Sequence, residues 1–107
     1  MNKNKLVTQI EHAISIIGGK WKTIIIASLL ENDKRFSELM KSISGITQRV
    51  LSSQLKELEE DGIIEKVLVT ENSIRKCYKL TDIGVSLSSV IMELSKWENI
   101  IRKQNLL

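Results

Sequence analysis

Apolar side chains recur along most of this chain at helical spacing, and the place where that spacing gives way to a β-branched run marks out its architecture. Ile10, Ala13, Ile14 and Ile17 follow the spacing of one helical face, and Thr8 with Glu11 three residues on has the form of a capping box. A first helix is therefore predicted over about 8–17. Gly18 and Gly19 interrupt it, after which Trp21, Ile24, Ile25, Ser28 and Leu29 mark a second helix ending near Asn32 and Asp33. Its three consecutive isoleucines point to burial on several sides. Phe36, Leu39, Met40 and Ile43 place a short third helix over about 35–42, and the turn "SISGI" leads to a fourth from about Thr47 to Asp61. Beyond Gly62 the helical spacing stops. "IIEKVLV" is rich in Ile and Val, "TENS" is a turn and "IRKCYKL" returns, which predicts a hairpin over about 63–80. Thr81 and Asp82 open a last helix, in which Ile83, Leu87, Val90, Leu94, Trp97 and Ile101 form a heptad-like seam about 27 Å long.

Short helices containing a helix-turn-helix, followed at once by a two-stranded hairpin, describe a winged helix-turn-helix. The fold class is mainly α with a small β-hairpin wing (α+β) and a long C-terminal dimerisation helix. A length of 107 residues suits one domain over 1–107, and 42% apolar with 27% charged residues excludes a disordered chain. No Pro and only five Gly leave no flexible linker. The apolar seam of the last helix is longer than one small subunit would cover, so a homodimer is predicted, with Trp97 as an interface anchor.

Charge adds a direction to this picture. The net charge is only +3, but through Lys56 nine Lys/Arg face four Asp/Glu, and beyond it seven face nine. The excess is local to the helix-turn-helix. In the fourth helix Thr47, Leu51, Leu55 and Leu58 fall on one side, and Arg49, Ser52, Ser53 and Lys56 on the other. Basic and polar residues fill its first half, while Glu57, Glu59, Glu60 and Asp61 close it. That order opposes the helix macrodipole. A recognition helix whose first half enters a major groove accounts for it, because phosphates favour Gln48, Arg49 and Lys56 there and the acidic end lies away from DNA.

The elements GGKW, RFSEL, GIxQ, LxxQLxxLExDGxIE and YxLTxxG, in that order between about Thr8 and Trp97, resemble the HxlR-type winged-helix transcription regulators, relatives of the MarR group. The resemblance implies a dimeric regulator of double-stranded DNA, with the helices at 8–17 and 81–105 pairing the subunits. Ile10, Ile14, Leu87, Val90, Leu94, Trp97 and Ile101 would then line the interface. Carried over by position, Thr47, Gln48, Arg49, Ser52, Ser53 and Lys56 sit on the recognition helix (about 47–61). Arg35 and Ser37 begin the helix before it, and Arg75 lies in the wing (about 69–76). Two departures stand out. Many members carry Cys-Pro where this chain has Thr8-Gln9, and in several that Cys senses oxidants, a route closed here; the wing also lacks the usual prolines.

Other chemistry is sparsely supported. "GGKW" shares Gly-Lys with a phosphate-binding loop, but Ile14 stands at the first Gly position and Trp21 at the Ser/Thr. One His and one Cys assemble neither a metal site nor a catalytic set, so no cofactor, metal or enzymatic activity is expected. His12 is expected at the surface, Cys77 as a small packed residue of the hairpin, and "EEDG" as a solvated helix end. Arg75 and Lys76 must point to opposite faces of a strand, and Arg75 is the expected groove contact. The longest apolar run, "IIIASLL", is too short to span a bilayer and "MNKNKLVTQIEH" lacks a signal's apolar stretch, which predicts a cytoplasmic protein without a membrane partner. A cleft between the dimerisation helices and the DNA-binding unit is a place for a small-molecule effector of unspecified identity. The competing reading is a winged-helix protein-interaction module, against which the absence of aromatic anchors on the fourth helix counts.

Overall fold

The structure, a computed structural model, describes residues 3–70 and 74–104. In chain order the elements are α1 (Lys3–Ile17), α2 (Lys22–Glu31), α3 (Phe36–Ser42), α4 (Gln48–Glu60), β1 (Ile64–Val69), β2 (Arg75–Leu80), α5 (Asp82–Ser86) and α6 (Ser88–Lys103). This is the mainly helical winged helix-turn-helix that the periodicities predict.

One hydrophobic core holds it together. Ile25, Ile26 and Leu29 of α2 pack with Leu39 and Ile43 of the α3 region, Leu51, Leu55 and Leu58 of α4, and Ile63, Ile64 and Leu80 at the hairpin base. Leu51, Leu55 and Leu58 recur at i, i+4 and i+7, so α4 turns one narrow apolar stripe inward and leaves the rest of its surface outside. The isoleucine triplet of α2 is buried at two of its positions only. Ile25 and Ile26 are wholly covered, whereas Ile24 stays 43% exposed, because successive helical residues diverge by about 100°. Buried Ser28 is satisfied by the Ser42 hydroxyl at 3.2 Å, a polar tie between α2 and α3.

The hairpin pairs antiparallel from Ile64↔Leu80 to Val69↔Arg75. The connection between α2 and α3 adds a further rung. Lys34 N–H donates to the Tyr78 carbonyl at 3.1 Å and Tyr78 N–H returns to the Lys34 carbonyl at 2.7 Å, tying the outer edge of β2 to the helix-turn-helix. At its base, Thr81 Oγ1 donates to the Gly62 and Ile63 carbonyls at 2.6 and 3.0 Å and accepts from Gly84 N–H at 3.2 Å, capping α5. Gly84 is needed for closeness: a Cβ there would lie 2.3 Å from the Ile63 carbonyl oxygen.

Three expectations are corrected. The first helix begins at Lys3, and Thr8 lies inside it with its hydroxyl donating back to the Asn4 carbonyl at 2.9 Å, so Thr8 and Glu11 form no capping box. The last helix is not continuous over 81–105 but divides at Leu87, whose N–H bonds the Gly84 carbonyl at 3.1 Å in a tighter turn while Gly84 is pinned against the hairpin. Arg35 and Thr47 stand just outside α3 and α4 as their N-caps, and α4 ends at Glu60 with Asp61 as its C-cap. Glu71, Asn72 and Ser73 of the predicted "TENS" turn, and Asn105 of the predicted last helix, lie outside the described residues.

The molecule is elongated. The radius of gyration is 15.8 Å, against about 13 Å for a compact domain of this length, and the molecule measures 50 × 33 × 24 Å. Neither α1 nor α6 contains a fully buried residue. Among the described residues no single helix is long and apolar enough to cross a membrane; α1 and α2 reach that length and apolarity only together, as a pair bent by 71°.

Candidate nucleic-acid interface

The interface is built around α4. Gly45 takes φ of 83° in the turn before it, a conformation that side-chain-bearing residues rarely adopt, and this lets the chain reverse between α3 and α4. Thr47 Oγ1 then accepts from Val50 N–H at 3.2 Å and starts the helix. The cap is therefore Thr47, and the Gln48 side chain remains outside, exposed at the first helical position.

With Leu51, Leu55 and Leu58 turned inward, Arg49, Ser52, Ser53 and Lys56 are all exposed. They form one wall of an open groove whose remaining lining is Glu59, Glu60, Lys66 and Tyr78. A second hollow, lined by Phe36, Gln48, Arg49 and Ser52, continues past the start of α4 toward α3. Lys66 and Tyr78 face each other across the hairpin, and Lys66 Nζ lies 5.9 Å from the Tyr78 ring centre. Partial burial pushes the Tyr78 hydroxyl above its ordinary range, only partly countered by the Lys66 charge.

The carboxylates at the end of α4 are engaged by the chain's own cations. Lys22, only 8% exposed, places Nζ 3.7 Å from Glu57, and Gln54 donates to the same carboxylate at 3.0 Å. Lys66 Nζ lies 3.8 Å from Glu59. Among the described residues Arg49 and Lys56 have no such ion pair, so their charge is open to a ligand.

Every residue predicted to face DNA is exposed: Arg35, Ser37, Thr47, Gln48, Arg49, Ser52, Ser53, Lys56 and Arg75. The groove and hollow join Gln48, Arg49, Ser52, Ser53 and Lys56 and include neither Ser37 nor Arg75. Alternation along β2 puts Lys76 on the Tyr78 side and Arg75 on the opposite one. The Arg75 charge, after the stronger action of Arg35, helps to hold the Glu38 carboxyl below its usual range. Glu38 accepts from Arg35 backbone N–H at 2.8 Å and from Arg35 Nε at 3.4 Å. Sequence reasoning missed Lys66 and Tyr78. The signal was present, since Lys66 shares strand parity with Ile64, which had to face the helices.

The expected dimer residues divide. Ile10, Ile14, Val90, Leu94 and Trp97 are between 44% and 61% exposed, while Leu87 and Ile101 are half-buried and Leu87 leans on the chain's own core. Leu6 and Val7 extend the α1 stripe and Ile100 borders that of α6, while Met92 is exposed on the far side of α6. A small apolar hollow lies between α1 and α5, lined by Ala13, Ile16, Ile17, Ile63, Ile83, Ser86 and Leu87. Cys77 is buried in β2, and His12 is exposed on α1. Among the described residues no group of three or more His, Cys, Asp or Glu is placed to hold a metal ion.

Residues 16–105 match the family described as HxlR-like helix-turn-helix. YvaP of Bacillus subtilis, an HTH-type transcriptional regulator, is 36% identical over 97 residues, covering 91% of this chain and 90% of that protein. Among solved structures, the redox regulator HypR in its reduced form superposes with a TM-score of 0.79 at 34% identity, covering 88% of this chain and 93% of HypR. A MarR-family regulator from Enterococcus faecalis superposes at 0.80 with 37% identity, covering all of this chain and 96% of its own.

Proposed function

The chain belongs to the HxlR-like helix-turn-helix family of transcription regulators, and on that premise we propose that it binds double-stranded DNA sequence-specifically as a homodimer. One observation carries the reading: the outward side of α4 is polar, basic and uncovered by its own chain from Gln48 to Lys56, while the inward side is fully buried. A helix of this kind fits a major groove. Its exposed Gln48 and Arg49 match the hydrogen-bonding edges of adenine and guanine, and Lys56 the phosphates beside them. Arg35 and Arg75 supply further phosphate or minor-groove charge, and Lys66 faces the same groove from the hairpin.

The second subunit follows from the apolar stripes of α1 and α6. Together they leave Leu6, Val7, Ile10, Ile14, Val90, Leu94 and Trp97 between 44% and 61% exposed, apolar helix faces that a second copy of the chain could cover. Pairing across these helices would bury them and set two recognition helices in successive major grooves, about 34 Å apart. Acting on DNA places the protein in the cytoplasm. Sensing through a thiol on α1 is closed to it, because Thr8 and Gln9 stand where many members carry Cys-Pro and Cys77 is buried in the hairpin.

Selection of bound duplexes from a random pool tests the reading directly. A recovered motif with two-fold symmetry and half-sites one helical turn apart is expected; recovery of unenriched sequence would overturn specificity. Replacing Leu94 and Trp97 together by Asp should halve the mass seen in sedimentation equilibrium, and an unchanged mass would refute this interface.

A further inference from the structure

We propose that Glu38 is a positioning residue for DNA binding, its carboxylate holding the Arg35 guanidinium alongside β2 so that Arg35 and Arg75 present together to one stretch of phosphate backbone. The proposal rests on the DNA-binding reading above and names a residue that reading does not use.

The backbone brings the three groups together. Antiparallel pairing of Lys34 with Tyr78 sets the chain after Lys34 running alongside β2 toward its beginning, so Arg35 and the first turn of α3 approach Arg75. One oxygen of Glu38 then accepts twice from Arg35, from its backbone N–H at 2.8 Å and from Nε at 3.4 Å. The guanidinium of a long side chain otherwise free to sample many rotamers is thus tied, through Nε, to the carboxylate that its own backbone already holds. The bond uses the inner nitrogen of the guanidinium, and its two terminal nitrogens donate to nothing among the described residues. That outer edge is the one that grips a phosphate bidentately. The charge of Arg75 is felt at the same carboxylate. Glu38 therefore eases the repulsion between two cations from different elements and lowers the ordering cost that Arg35 would meet on binding.

The simpler alternative is that Glu38 only caps α3. A double-mutant cycle separates the two, using Glu38→Gln, Arg35→Ala and the double variant, with circular dichroism confirming that each is folded. The probe is a fluorescein-labelled duplex recovered by the wild-type chain from a random pool, read by anisotropy at low and moderate salt. Glu38→Gln is expected to weaken binding on the order of threefold to tenfold when Arg35 is present, the scale of a pairwise coupling, and to have no effect in the Arg35→Ala background. An equal loss in both backgrounds would assign Glu38 to the helix cap alone and overturn the proposal. Tighter binding in both would reduce Glu38 to a charge that repels DNA and would overturn it equally. A wild-type chain that captures no duplex removes the parent reading and this one with it, whereas normal wild-type binding with no coupling removes this one alone.

Discussion

Replacing Lys56 by Ala gives a prediction whose size follows from the structure. Lys56 is exposed on the groove side of α4 and has no ion-pair partner among the described residues, so its removal takes a free charge from the surface and little from the fold. Each phosphate neutralised on duplex DNA contributes about 0.9 to the slope of log affinity against log salt. If Arg35, Lys56 and Arg75 each meet a phosphate in both subunits, six are neutralised, and adding Arg49 and Lys66 gives ten. The slope should then lie between about −5 and −9, and affinity should fall roughly 10³- to 10⁵-fold between 50 and 200 mM salt. Lys56→Ala should flatten the slope by about 1.8 in a dimer and by only about 0.9 if one subunit binds alone. Anisotropy over a salt series, with a selected duplex and an unrelated one, reads both quantities. Because the contact is to the backbone, the loss should be the same on either duplex. An unchanged slope would place Lys56 away from DNA and refute the orientation of α4.

Three further outcomes test the fold around the interface. Gly84→Ala would force a Cβ to 2.3 Å from the Ile63 carbonyl oxygen, and should cost about 2–3 kcal/mol, seen as a lower urea midpoint; an unchanged midpoint would show that α5 does not pack this closely. Glu57→Ala leaves the nearly buried Lys22 ammonium unpaired and should cost about 1–2 kcal/mol, reduced because Glu57 is half-exposed, whereas Lys22→Met should be close to neutral; the reverse ranking in thermal melts would remove the pair's significance. The Glu38 carboxyl titrates lower in the folded chain than in the unfolded one, chiefly through its bond to Arg35 N–H. Its stabilising effect is therefore present above the unfolded carboxyl range, about 4.3, and is lost as the pH falls through the folded value. Glu38→Gln should remove that part of the acid limb, and parallel acid curves for the two proteins would contradict it.

The fold was legible because its elements announce themselves by period. Leu51, Leu55 and Leu58 of α4, and the Ile- and Val-rich run that becomes β1, are local signals that tertiary packing did not override. What escaped were features set by partners distant in sequence. Thr8 has the form of a cap, yet nothing local says that the helix has already begun at Lys3 and that its hydroxyl has an Asn4 carbonyl within reach. The break at Leu87 was hidden for the same reason. The seam from Ile83 to Ile101 keeps its spacing through it, and only the approach of Gly84 to Ile63, 21 residues earlier in the chain, tightens the turn. The groove side of α4 could be read from the sequence, but Lys66 and Tyr78 join it only once the hairpin register is known.

The charge order of α4 shows how these two kinds of information combine. The sequence poses it as one anomaly, cations where the helix dipole favours anions and anions where it favours cations, and a polyanionic ligand explains only the first half. The structure supplies a separate cause for the second. Lys22, from the start of α2, and Lys66, from β1, each reach a carboxylate in the last two turns of α4, so those anions answer cations of their own chain rather than the dipole. The consequence is a helix divided by function along its length: the carboxyl end is fastened to α2 and the wing, and the amino end is left polar and free. Buried Leu51, Leu55 and Leu58 set the direction of the helix, and the two ion pairs add to that hold at one end. A groove-reading helix requires this, because base contacts are lost when the side chains are misplaced by about an ångström, whereas charge alone would tolerate it. On the DNA-binding reading proposed above, loosening the Lys22–Glu57 pair should cost Gln48 and Arg49 their base contacts before it costs Lys56 its phosphate.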